Sequence, residues 1–148
     1  MLFRSLNIFG AVLALGLVLL MGCSKGDAPR PDDVAAVRAI MEQRAQAIAN
    51  KDIGAFERLL HDEYNDGRNT KSAIVEDMTE VFNRYQSLHL NYQKAPVELK
   101  MNTARVVQRL EYQVNDGERT VHDHEHLMLR KTPDGAWKIS GGIKVGLL

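Results

Sequence analysis

The chain is short of the groups that usually carry covalent or redox chemistry. It holds one cysteine in 148 residues, so no internal disulfide can form. Charge of one sign is lacking too, because 19 basic residues balance 19 acidic ones. Arg4 is the only charge before Cys23, and the rest therefore carries 18 basic and 19 acidic residues, a net of −1. Binding a phosphate backbone needs a basic excess gathered on one face, so no nucleic-acid partner is expected. A glycine-rich phosphate loop, a nucleophile elbow and a cysteine–histidine pair are all missing. There is no internal repeat, no low-complexity segment beyond the apolar N-terminus, and no cofactor is expected.

The N-terminus reads as an address. Arg4 precedes an uncharged run from Ser5 to Gly22, rich in Leu, Val and Ala and too short for a comfortable membrane span. Leu20-Met21-Gly22-Cys23 resembles the bacterial lipobox, which implies cleavage before Cys23 and lipid on its thiol and new amine. Several acyl chains would hold the protein on a membrane, since each buried methylene contributes about 0.8 kcal/mol. The bland alternative is a signal-anchor helix with an incidental cysteine. Ser24 stands where Asp commonly retains Gram-negative lipoproteins at the inner membrane, so the expected location is the outer membrane, facing the periplasm. Residues 1–22 are thus a signal peptide, 23–32 a lipidated cysteine with a flexible tether containing Gly26, Pro29 and Pro31, and 33–148 one globular domain.

Helical spacing dominates the first half of that domain. Asp32 or Asp33 can cap a helix to about Asn50, with Val34, Val37, Ile40, Met41, Ala47 and Ile48 along one side. Asp52 can cap a short second helix that buries Phe56, Leu59 and Leu60, and Thr70 a third. In the third, Ile74, Met78, Val81, Phe82 and Tyr85 give the cleanest amphipathic pattern in the chain. Alternation takes over afterwards: Leu88-x-Leu90-x-Tyr92, Val97-x-Leu99-x-Met101, then long strands around Asp116-Gly117 and Pro133-Asp134-Gly135 turns. Helices with one apolar face against a sheet with one apolar face make two layers.

This order, with Ala45-x-Ala47-x-Ala49-Asn50-Lys51-Asp52, Phe56-x-x-Leu59-Leu60, Tyr64-x-Asp66-Gly67, Glu125-His126-Leu127-x-Leu129-Arg130-Lys131 and Asp134-Gly135-x-Trp137-Lys138-Ile139, resembles the NTF2-like superfamily. The relevant members are its small SnoaL-like and DUF4440-like bacterial proteins. The resemblance implies an α+β cone, a strongly curved antiparallel sheet packed on a long N-terminal helix and two shorter ones. It also implies an internal cavity in many members, frequent homodimers, and Tyr64 and Asp66 near the cavity mouth. Such a fold hosts isomerases, dehydratases, cyclases and binding proteins, so chemistry must be argued from the site.

The most unusual segment is Val121-His122-Asp123-His124-Glu125-His126. On a strand its histidines point one way and its carboxylates the other, and a one-residue slip exchanges the rows. A two-residue Asp116-Gly117 turn makes cross-strand partners sum to 233, setting Gln108 opposite Glu125 and Leu110 opposite Asp123. A three-residue loop makes the sum 232 and sets Leu110 and Val106 opposite His122 and His126. A Pro133–Gly135 loop pairs Leu129 with Ile139 and Leu127 with Gly141. Together with the 233 register, that buries Val106, Leu110, Tyr112, Val121, Leu127, Leu129, Trp137 and Ile139 on one face, each Leu-sized side chain stabilising by about 1.5–3 kcal/mol. The burial-favoured register turns Gln108, Asp123 and Glu125 inward.

Three functions follow as expectations. The leading one is a non-catalytic, lipid-anchored module that binds a small apolar ligand, lined by Tyr64, Asp66, Gln108, Leu110, Tyr112, Asp123, Glu125 and Trp137, or that docks a partner or second copy through its sheet. An alternative is a cofactor-independent enzyme with Glu125 or Asp123 as general base and Tyr64 or Tyr112 as hydrogen-bond donor to an oxyanion. The third is weak metal binding by His122, His124 and His126, against which stands the ~6.6 Å step between alternate strand residues.

Overall fold

A computed structural model describes residues 31–145. The signal peptide, Cys23 and its lipidation lie outside the described residues. Within them are three α-helices, α1 (Pro31–Ala49), α2 (Ile53–Arg58) and α3 (Lys71–Arg84), and five strands, β1 (Leu88–Tyr92), β2 (Val97–Lys100), β3 (Thr103–Val114), β4 (Arg119–Lys131) and β5 (Trp137–Gly141). All strand pairings are antiparallel, in the order β1-β3-β4-β5, and β2 shares the β1 edge of β3. The helices cover one face of this curled sheet, which is the α+β cone the resemblance implied.

Helix starts follow the local chemistry, with one correction. The Asp52 carboxylate accepts from the Ala55 amide at 2.8 Å, and Thr70 Oγ1 accepts from the Ala73 amide at 3.4 Å, so both cap as expected. Neither Asp32 nor Asp33 is a cap, because α1 already begins at Pro31. Proline suits that first turn, where its missing N–H would have had no partner. Pro31 and Asp32, expected outside the helix, thus belong to α1, and Asp33 accepts instead from Lys131 Nζ (2.6 Å) and Trp137 Nε1 (3.0 Å), fastening the helix start to the β4–β5 hairpin.

The register is the one that burial favours. Gln108 pairs with Glu125, Leu110 with Asp123 and Val106 with Leu127, and the eight apolar residues assigned to one face all turn inward, Val121 only partly buried. The loop is longer than two residues: Asn115 to Glu118 is unpaired, with Asn115, Asp116 and Gly117 all at positive φ. Two residues added symmetrically leave the sum at 233. Asn and Asp tolerate that backbone region, and the loop is tied to Gln86 and Ser87 by Asn115 and Asp116.

Two other expectations need correction. Leu129 pairs with Ile139 as expected, but a bulge between Met128 and Leu129, with Ser140 the extra residue on β5, sets Met128, not Leu127, against Gly141. Such an extra residue sharpens the curl of the sheet. Met101 does not extend β2, since it sits at φ 49° in the tight turn to β3 and is 71% exposed.

Asp52→Ala should lower stability by about 0.5–2 kcal/mol, because α2 would lose its cap with nothing to replace it. A urea midpoint indistinguishable from that of the parent chain would contradict this.

Candidate functional site

The sequence places one arginine on the buried stripe of α1. Val37, Met41, Arg44 and Ile48 recur at helical spacing, and all four are buried. On β4 the same inward turn that buries Leu127 and Leu129 buries Glu125, which is 0% exposed, as Arg44 is 1% exposed. The two meet inside the cone. Arg44 Nη1 donates to Glu125 Oε2 at 2.7 Å, and Nη2 donates to Oε1 at 2.8 Å and to the Tyr112 hydroxyl at 3.1 Å. Gln108 Nε2 adds a bond to Glu125 Oε2 at 3.1 Å, and the Lys144 amide lies 3.5 Å from Oε1.

This end-on fork satisfies a carboxylate as few other groups can. Burial works against the charge on Arg44, yet Glu125 and then Tyr112 outweigh it and hold the guanidinium above its ordinary pKa. Burial also pushes the Tyr112 hydroxyl upward, despite the opposing pull of Arg44. The Arg44–Glu125 geometry is that of a buried, two-pronged ion pair. Arg44 Nε and Gln108 Oε1 are buried with no hydrogen-bond partner.

The rim of the cone carries a second set. The Tyr64 hydroxyl donates to Asp66 Oδ2 and accepts from the Ile143 amide, both at 3.1 Å. Burial raises the pKa of Tyr64 above the ordinary tyrosine value. Burial would raise Asp66 as well, but the amides of Asn69, Arg68 and Gly142 and the Tyr64 hydroxyl prevail, leaving its carboxyl below the usual range. Asp123 reaches Lys144 Nζ at 2.8 Å, and that ammonium lowers its pKa.

The residues expected to line one ligand site thus fall into separate places. Gln108, Tyr112 and Glu125 come together in the interior, and Tyr64, Asp66 and Asp123 at the rim. Trp137 lies elsewhere, with its indole on Asp33 and Lys131 Nζ 5.4 Å over its ring. Surface clefts of about 330, 540, 580 and 740 Å³ surround the described residues, and none is lined by Gln108, Tyr112 or Glu125. Leu110 borders the smallest, Trp137 the 540 Å³ cleft, and Asp66 and Asp123 the largest, which Gly142–Val145 walls on one side.

His122, His124 and His126 are exposed on the outer face of the sheet. His122 and His124 meet their cross-strand partners, His122 3.7 Å from Glu111 and His124 accepting from Arg109 Nε at 3.2 Å, while His126, opposite Val107, lies 3.4 Å from the diagonal Arg105. Among the described residues no three histidine, cysteine or acidic side chains gather as a metal site. His89 is exposed, and His61 accepts from the Glu63 amide.

No family model matches the chain, and no curated protein matches it. Solved structures do. An NTF2-like protein of unknown function from Pseudomonas putida aligns with TM-score 0.67 and 14% identity over 78% of this chain and 87% of its own. A candidate dehydratase of the NTF2-like family from Streptomyces avermitilis aligns at 0.63 and 16%, over 76% and 95%. Bd1075 of Bdellovibrio bacteriovorus aligns at 0.66 and 12%, over 76% of this chain but only 40% of that one. Such likeness shows the fold, which is NTF2-like.

Two measurements probe the site. Glu125→Ala strands a buried charge and should cost about 3–5 kcal/mol, whereas Arg44→Met with Glu125→Leu should recover most of it. Equal urea midpoints for the single and double variants would contradict the locked pair. Because the folded pKa of Asp66 is depressed, its stabilisation is full above the unfolded value, about 3.9, and is lost as pH falls below it. Asp66→Asn should therefore flatten the acid limb of the stability profile, and an unchanged limb would contradict it.

Proposed function

From the NTF2-like fold as premise, we propose that this chain is a lipid-anchored envelope protein whose domain is a non-catalytic binding module for a small apolar or amphipathic ligand. The observation that carries this reading is the Arg44–Glu125 pair. Proton transfer beside a carbonyl requires a carboxylate whose lone pairs face the substrate. Here both oxygens of Glu125 are held by Arg44, one also by Gln108. Asp123 is drawn to Lys144 and Asp66 to three backbone amides, and both attachments favour the ionised, weakly basic form. What remains is the rim cleft of about 740 Å³ beside the buried Ile143 and Val145, a concave place suited to recognition. Anchoring rests on Leu20-Met21-Gly22-Cys23, and the eight residues 23–30 would link the membrane to α1.

A second reading comes from the Streptomyces neighbour, described as a candidate dehydratase. It would use the same interior with Glu125 or Asp123 as base and Tyr64 or Tyr112 as donor, and it requires Arg44 to release Glu125 when substrate enters.

Two experiments decide. Metabolic labelling with palmitate should mark the full chain and fail for Cys23→Ser, and equal labelling would remove the anchor. Native mass spectrometry of the protein taken from its own envelope should show a co-purifying small molecule that leaves unchanged. Recovery of a converted product would favour the enzyme, and an empty chain would leave only docking to a partner.

A further inference from the structure

The segment after β5 has its own task. At Gly142 the backbone takes φ +89° and passes so close to β4 that a Cβ would stand 2.0 Å from the His126 carbonyl oxygen. From there Gly142–Val145 runs across the mouth of the cone without joining the sheet. Ile143 and Val145 are 2% and 5% exposed and belong to the core. Three attachments along this strap are at the rim, the Gly142 amide to Asp66, the Ile143 amide to Tyr64 and the Lys144 ammonium to Asp123, and one reaches inward, the Lys144 amide 3.5 Å from Glu125 Oε1.

Behind it lies unmet polarity. Arg44 Nε, a donor, and Gln108 Oε1, an acceptor, are buried without partners on the two side chains that hold Glu125, whose Oε1 lies 3.5 Å from the Lys144 amide of the strap. Leaving such groups unpaired is costly, so a molecule that satisfies them binds in preference to one that does not. Charge there is already balanced, Arg44 against Glu125 and Lys144 against Asp123. A charged guest would add an uncompensated buried charge.

Resting on the binding-module reading, we propose that Gly142–Val145 is a displaceable plug, with Ile143 and Val145 standing where the apolar part of a small neutral amphipathic guest goes, and with Arg44 Nε and Gln108 Oε1 receiving its polar end. The guest competes with the protein's own chain, so its apparent affinity is set by the open fraction of the strap. Gly142 is the hinge, fixed at the one point where no side chain fits.

The test uses the full chain and the fluorescent probe N-phenyl-1-naphthylamine, which is neutral, apolar and carries one N–H donor. Gly142→Ala loosens the strap at its root and should lower the apparent Kd for this probe about tenfold or more. Ile143→Ala with Val145→Ala, which empties the plug and leaves the backbone alone, should do the same and decides the matter if Gly142→Ala does not fold. Adding Gln108→Leu should reverse part of the gain, and the anionic probe anilinonaphthalene sulfonate should show none. Hydrogen exchange should report faster opening of the Ile143 and Lys144 amides in Gly142→Ala. Faster exchange with unchanged probe affinity in both variants would overturn the plug. A co-purifying molecule from the envelope in that same case would leave the binding-module reading standing, so the two can fail separately.

Discussion

One buried interaction organises this molecule: a guanidinium on α1 and a carboxylate on β4, each stripped of water and each left with the other as its main solvent. Desolvating two ions costs several kcal/mol apiece, which the pair recovers only through good geometry and added hydrogen bonds. That demand fixes α1 against the sheet more tightly than apolar contact alone would, because leucine tolerates sliding and a two-pronged fork does not. Tyr112 and Gln108 take the remaining positions around it, so the inward row of β3 and β4 is specified as a unit. The apolar residues on either side, Leu110, Leu127 and Leu129 among them, exclude the water that would otherwise loosen the fork.

Much of the architecture was legible in the chain because hydrophobic period and cap chemistry act locally. Thr70, Asp52 and the Ile74-to-Phe82 stripe announce their helices, and the joint burial of eight apolar residues selects the register between β3 and β4. The parity of that strand pair was therefore available before any coordinates. Arg44 was not, although a signal existed: a lone arginine seven residues after Val37, on a stripe otherwise apolar, facing a strand whose inward row holds one glutamate. Either charge alone reads as an exception to a pattern. Only together do they read as a pair, and their partnership spans 81 positions.

The bulge and the strap escaped the sequence for a different reason. Period-two patterning says which residues share a face, but an inserted residue near Met128 shifts partners without disturbing the alternation that precedes it. Gly141-Gly142 marks a place where backbone approaches backbone, and the two glycines differ in cause. Gly141 sits beside Asp66, while Gly142 needs both a left-handed backbone and the space against the His126 carbonyl. Neither requirement can be separated from ordinary turn chemistry until β4 is in place.

These features together bear on how such a cone changes use. Opening an interior for catalysis requires a carboxylate that can give and take a proton, and hence one without a permanent cation on both oxygens. Here Arg44 on the α1 stripe occupies both oxygens of Glu125. The segment after β5 is held both by the core, through Ile143 and Val145, and by Tyr64, Asp66 and Asp123 at the rim. The interior fork and the rim contacts of Tyr64, Asp66 and Asp123 thus answer to different physical demands, desolvation inside and hydrogen bonding to backbone amides and an ammonium outside.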